Sequence, residues 1–212
     1  HGMQATFMAK PYADRAGSGM HWHMSLLDGT GRNIFDENEK GGAEALQHAV
    51  AGVLATLPEA MVFVAPNINS YKRFKPGLFV PMTRTWGYNN RSVAVRIPGG
   101  TSRDRRIEYR IPGADANPYL ALAVLLAGVH HGIAGKLTPS QPHDGNASTI
   151  RDAGLPLKLY DALSALGIAK VIPDYLGRDY CEVYAECKRL EMDEFLSELS
   201  SREFGWYLRP DF

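Results

Sequence analysis

Apolar positions along this chain fall into two spacings, one helical and one alternating. Over residues 42–57, Ala45, Leu46, Ala49, Val53 and Leu57 recur at helical intervals, and the pattern stops at Pro58. A second helix is predicted from Asn117-Pro118, an N-cap residue followed by proline at the first helical position, to about Ile133. That run is apolar nearly all round, which predicts a helix lying deep in the domain. Residues 158–166 and 177–199 repeat the helical interval, the last with many charges and so half exposed. Short strands are expected at 4–8 and 20–26, flanking a loop rich in Gly, Ala and charge. Two more, 91–97 and 105–111, each end in proline and glycine and make a hairpin. Residues 61–80, with Asn67, Asn69, Pro66, Pro76 and Gly77, read as irregular chain. Hairpin strands with grouped helices predict an α+β fold on an antiparallel sheet.

Strand parity picks out candidate chemistry. In 20–26, His21, His23 and Ser25 share one face and Met20, Trp22, Met24 and Leu26 the other. That pattern suits a strand lining a site and equally a strand with its polar side in water, and a lone His-x-His is a weak metal signal. In 105–111, Arg106, Glu108 and Arg110 share a face opposite Ile107, Tyr109 and Ile111. A carboxylate between two guanidiniums stays ionised, which suits a metal ligand and also a surface salt-bridge ladder.

Composition narrows the classes. At 212 residues the chain is one large domain, or one and a small part of another, with a sizeable core. Lys plus Arg equals Asp plus Glu at 23 each, so no net field recruits nucleic acid or an anionic membrane. The longest apolar run, 119–129, is shorter than the roughly 20 residues that cross a bilayer. No basic-then-apolar leader opens the chain, and the expectation is a cytoplasmic protein. Cys181 and Cys187 point to different sides of one predicted helix and are expected to be reduced thiols. Charge is nonetheless uneven: residues 84–110 hold seven arginines against Asp104 and Glu108, an excess of five. Guanidinium grips phosphate and carboxylate bidentately, so the window suggests a small anionic ligand, a solvated basic face or, with Trp86, Tyr88 and Tyr109 interleaved, nucleic acid. The loop residues Asn69 to Phe74 form a further polar, basic cluster.

Taken together, GSGMHWHMS, NSYKRF, NNRSVAVRIP, RRIEYRIP and ANPYLALAVLLAG resemble, in order and at similar intervals, the catalytic domain of the glutamine synthetase family. The resemblance implies a curved antiparallel sheet with flanking helices, as in the guanido kinases. It also implies ATP with Mg2+ or Mn2+, glutamate and an amine as substrates, and a ring-forming homo-oligomer, with neither nucleic acid nor membrane as partner. His21 and Glu108 would be metal ligands, and His23 and Ser25 would touch the nucleotide. Arg91, Arg96 and Arg103 would meet the phosphates, and Gly17, Arg73 and Arg110 the glutamate, with Arg91 and Arg73 closest to the chemistry. The implied reaction first phosphorylates the γ-carboxylate of glutamate, a poor electrophile, and then lets an amine displace phosphate. The alternatives are a member using ammonia and a non-catalytic relative that keeps the fold.

Two departures from the family pattern bear on function. Ammonia-using members place a glutamate shortly after the KR of the loop motif; here KPGLFVP puts Phe79 there, which neither accepts a proton nor pairs with ammonium. The implied amine is therefore larger than ammonia, as in the γ-glutamylpolyamine branch, which TWGYNNRS also resembles. Ala16 stands where an asparagine often precedes the GSG turn. The resemblance further implies that residues 1–212 are the C-terminal part of a catalytic domain. The remaining metal ligands and an N-terminal domain would lie upstream, and the chain would be inactive alone.

Overall fold

A computed structural model describes residues 1–208. Four short strands, β1 (Trp22–Met24), β2 (Trp86–Tyr88), β3 (Val95–Ile97) and β4 (Ile107–Tyr109), form one sheet in the order β1-β4-β3-β2. The helices are α1 (Gly42–Val64), α2 (Ile68–Tyr71), α3 (Pro118–Ala134), α4 (Leu159–Gly167), α5 (Val171–Leu176), α6 (Arg178–Ser197) and α7 (Ser201–Tyr207). The α+β class holds. The predicted hairpin is present as β3 against β4, antiparallel, and β1 pairs antiparallel with β4. β2, which the sequence pattern missed, runs parallel to β3, so the sheet is mixed.

Core packing explains most departures from the local pattern. α1 does not stop at Pro58 but runs six residues further. Proline there forfeits one backbone bond at about 3 kcal/mol, yet Met61, Val62, Phe63 and Val64 beyond it are completely buried. At about 1.5–3 kcal/mol for each buried apolar side chain, continuation wins. α1 is thus long and apolar enough to span a bilayer, but most of its apolar stretch is buried inside the fold, as in a core helix. It crosses α3 where glycines meet: a Cβ on Gly52 would lie 2.0 Å from the Gly128 carbonyl oxygen, and one on Gly132 2.0 Å from that of His48.

Asn117 caps α3 as its position predicts, accepting from the Tyr119 and Leu120 amides. α2 forms inside the stretch read as irregular, held by reciprocal Asn67 and Ser70 caps. Residues 4–8 form no strand and lie exposed. α5 and α7 were also not foreseen; both are short, which leaves little periodicity to read. Cys181 is buried and Cys187 exposed, both as free thiols.

Candidate active site

Strand register builds the site. β1 sets His23 opposite Glu108 of β4, and β3 sets Arg96 opposite the same residue on the other side. A row of imidazole, carboxylate and guanidinium therefore crosses three strands. The apolar alternates Ile107, Tyr109 and Ile111 lie fully in the core, which fixes the parity and turns Arg106, Glu108 and Arg110 to the other face.

Glu108 is the hub. Its Oε2 accepts from Arg96 Nη1 and its Oε1 from Arg110 Nη1, each at 2.6 Å, with the glutamate side chain only 4% exposed. Burial alone raises its carboxyl pKa, but the two guanidiniums outweigh that and hold it below the ordinary value. His21 Nδ1 lies 3.3 Å from Glu108 Oε1, and His23 Nε2 lies 4.0 Å from the same oxygen. Partial burial, and then the nearby Arg110 charge, lower the His21 pKa, so its imidazole is neutral at pH 7. Arg106 donates from Nε to His23 Nδ1 at 3.3 Å.

Arg73 sits beside this row and is almost wholly buried. It donates from Nη2 to the Ile111 carbonyl at 2.8 Å, and burial lowers its pKa to about 10, opposed by the charge of Asp115. Asp115 is held in turn by Asn67 Nδ2 and Ser70 Oγ, at 2.9 and 2.6 Å. The GSG turn runs alongside the end of β4, with Met20 N bonded to Pro112 O and Ala114 N to Ser18 O. That brings Gly17 onto the Arg73 stem. A Cβ there would meet Arg73 Cγ and the Ala9 carbonyl oxygen, both at 2.8 Å, so the backbone approaches because glycine has no side chain.

The arginine window is not one basic face. Arg96 and Arg110 hold Glu108, Arg84 pairs with Asp152 at 2.7 Å, and Arg105 pairs with Glu37. Arg91 and Arg103 are exposed, and among the described residues neither side chain makes an ion pair. Arg91 and Arg96 line a cleft of about 510 Å³ together with Phe79, Tyr88, Asn90 and Asp144. Ser25 is exposed just beyond β1, on the face of His21 and His23. Arg103 is carried on a short 3-10 turn, Ser102–Asp104, whose ends Asn33 ties down by donating to the Arg103 and Arg105 carbonyls.

The glutamine synthetase catalytic-domain family matches residues 1–207. The chain belongs to that family. It is 41% identical to the gamma-glutamylputrescine synthetase of Escherichia coli (strain K12) over 209 residues, 99% of this chain and 44% of the relative. It is 39% identical to the gamma-glutamylethanolamide synthetase of Streptomyces coelicolor over 211 residues, 100% of this chain and 44% of that one. Solved structures of GmaS, one without ligand and one an ADP complex, each superpose with a TM-score of 0.84. Their identities are 33% and 32%, and each covers 96% of this chain and 48% or 49% of the GmaS chain. The chain thus spans a little under half the length of these relatives.

Glutamine synthetases bind a divalent cation, and the donors here suit one in kind: a neutral imidazole and an ionised carboxylate 3.3 Å apart. They supply two ligands, and among the described residues no group of three His, Cys, Asp or Glu gathers to complete a cage. Sequence parity placed His21 and His23 on one face, and Glu108 and Arg110 on another, without choosing between a site and a surface. It missed Asp115 beside Arg73, and Asn33 and Glu37 under the Arg103 turn, because nothing local marks a residue whose partner lies dozens of positions away.

Proposed function

We propose that the protein to which these residues belong is an ATP-dependent ligase that joins the γ-carboxylate of glutamate to an amine larger than ammonia. The observation that carries the reading is Phe79, an exposed aromatic side chain on the wall of the cleft that also holds Arg91 and Arg96. The ring carries no formal negative charge and cannot take a proton from ammonium, but it covers alkyl carbon.

In this reading His21 and Glu108 hold the divalent cation, which when bound supplies positive charge at the phosphoryl oxygens. His23 and Ser25 contact the nucleotide. Arg91, Arg96 and Arg103 neutralise the transferring phosphate, a contribution made by preorganised charge and not by covalent chemistry. Arg96 now pairs with Glu108, so the same carboxylate that would hold the cation also positions this guanidinium. Arg110 and the buried Arg73 hold the glutamate substrate, with Gly17 offering its backbone beside the Arg73 stem. The acyl phosphate so formed is open to attack by the amine at the Phe79 side. With two metal donors in residues 1–208, the 212-residue chain by itself is expected to give no turnover.

The test is an amine panel with the full-length enzyme, following phosphate release with ATP and glutamate. Higher kcat/KM for putrescine, ethanolamine or another alkylamine than for ammonium is the expected result. A preference for ammonium would overturn the reading in favour of an ordinary glutamine synthetase.

A further inference from the structure

Arg91 lines the cleft as an exposed cation, and among the described residues its side chain makes no ion pair. A side chain so placed is aimed by the backbone that carries it. That backbone leaves β2 in a sharp turn: Asn89 takes φ +51°, in the left-handed region that asparagine tolerates better than most residues. Asn89 Oδ1 accepts from Gly99 N at 2.6 Å, which closes the turn onto the chain just beyond β3.

Asn90 then spends its whole amide on holding the next three residues in place. Its Nδ2 donates to the carbonyls of His143 and Gly145, both at 2.8 Å. Its Oδ1 accepts from Ser92 N at 2.9 Å and from Ser92 Oγ at 2.6 Å. Two donors and two lone pairs are engaged, so the amide has nothing left for a ligand. Ser92, buried, accepts in turn from Ala147 N at 2.8 Å. The loop 143–147 is therefore tied to the residue before Arg91 and to the residue after it.

That loop is itself anchored. His143 N bonds to Trp86 O at 2.7 Å, and a Cβ on Gly87 would stand 2.6 Å from the His143 carbonyl oxygen. At its far end Ser148 O accepts from Gly77 N at 3.1 Å, two residues before Phe79. Arg91 thus stands on backbone pinned from both sides, with its guanidinium left in the cleft.

We propose that Asn90 is a positioning residue for Arg91, holding the guanidinium where the transferring phosphate passes. The proposal rests on the reading that Arg91 meets that phosphate. Charge fixed in place before the reaction needs no reorganisation during it, whereas a misplacement of about 1 Å can cost up to about a hundredfold in rate. Asn90→Ala leaves the Arg91 charge intact and removes both carbonyl ties, so the loss is one of aim.

The experiment is a double-mutant cycle on the full-length enzyme, with ATP, glutamate and hydroxylamine, a small nucleophile that traps an acyl phosphate whatever the natural amine. Arg91→Ala should lower kcat about a hundredfold or more. Asn90→Ala should lower kcat about tenfold and leave the KM for glutamate little changed. On the Arg91→Ala background Asn90→Ala should cost almost nothing further, because no guanidinium remains to be aimed. Ser92→Ala, a smaller change that removes the Ala147 tie, should act in the same direction and be equally silent on that background; it carries the test if Asn90→Ala does not fold. An unchanged kcat in Asn90→Ala, or losses that multiply in the double variant as a purely structural role requires, overturns the assignment of Asn90 while Arg91 keeps its role. A wild-type kcat in Arg91→Ala would instead bring down the reading beneath it.

Discussion

Replacing Gly52 by alanine tests the helix crossing that supports the site, because two effects of known size oppose each other. Alanine in a helix interior is favoured over glycine by about 1 kcal/mol, so an isolated α1 would gain. In the fold, the new methyl would stand 2.0 Å from the Gly128 carbonyl oxygen and 2.5 Å from the Gly132 Cα and N, all backbone atoms that no rotamer change moves aside. Restoring an ordinary contact needs more than about 1 Å of separation at that point, enough to forfeit about half of each facing dispersion contact. Overpacking of this kind costs about 1–3 kcal/mol and at backbone contacts the upper end applies, so the clash wins by about 2 kcal/mol. The consequence reaches the site, since the α1 terminus accepts the Gly113 amide at Val64, and Gly113 lies against the Arg73 guanidinium. Thermal unfolding of the full-length enzyme should show Gly52→Ala melting a few degrees lower, at no more than about 2 °C per kcal/mol in a long chain. Gly167→Ala, at the end of α4 with nothing within 4 Å of the added methyl, is the control and should be neutral or slightly stabilising. If Gly52→Ala melted as high as that control or higher, the glycine-to-glycine crossing would be wrong.

Two further outcomes follow from the charge pairs. Glu108→Gln leaves Arg96 and Arg110, whose side chains are 17% and 6% exposed, facing each other without a counter-charge. Unfolding of the metal-free, nucleotide-free enzyme should show a loss of about 3 kcal/mol, against less than about 1 kcal/mol for a solvated surface ladder. Arg84→Ala removes the hydrogen bonds that, ahead of an opposing effect of burial, hold the Asp152 carboxyl below its ordinary 3.8. A lowered folded-state pKa stabilises above the unfolded value and is lost as pH falls through the folded one. The stability gap between wild type and Arg84→Ala should therefore be constant near neutral pH and close below about pH 4 in an acid titration; a gap that widened there would refute the pairing.

The sequence by itself determined whatever a short stretch encodes. Asn117-Pro118 started α3, and alternation in 105–111 put Glu108 and its flanking arginines on the face opposite the core residues Ile107, Tyr109 and Ile111. Alternation in 20–26 likewise put His21 and His23 on one side, and five motifs in order sufficed to show a family resemblance. Tertiary structure decided what depends on partners far along the chain. Pro58 did not end α1, because burial of the residues beyond it outweighed one lost hydrogen bond. β2 formed as three residues with too little pattern to read, stabilised by pairing with β3. The arginine window, uniform in sequence, was divided by acids elsewhere: Asp152 lies 68 residues from Arg84, and Glu37 lies 68 from Arg105. Side-chain periodicity is a local property of backbone geometry, whereas a buried charge is satisfied by whichever group the folded chain brings beside it.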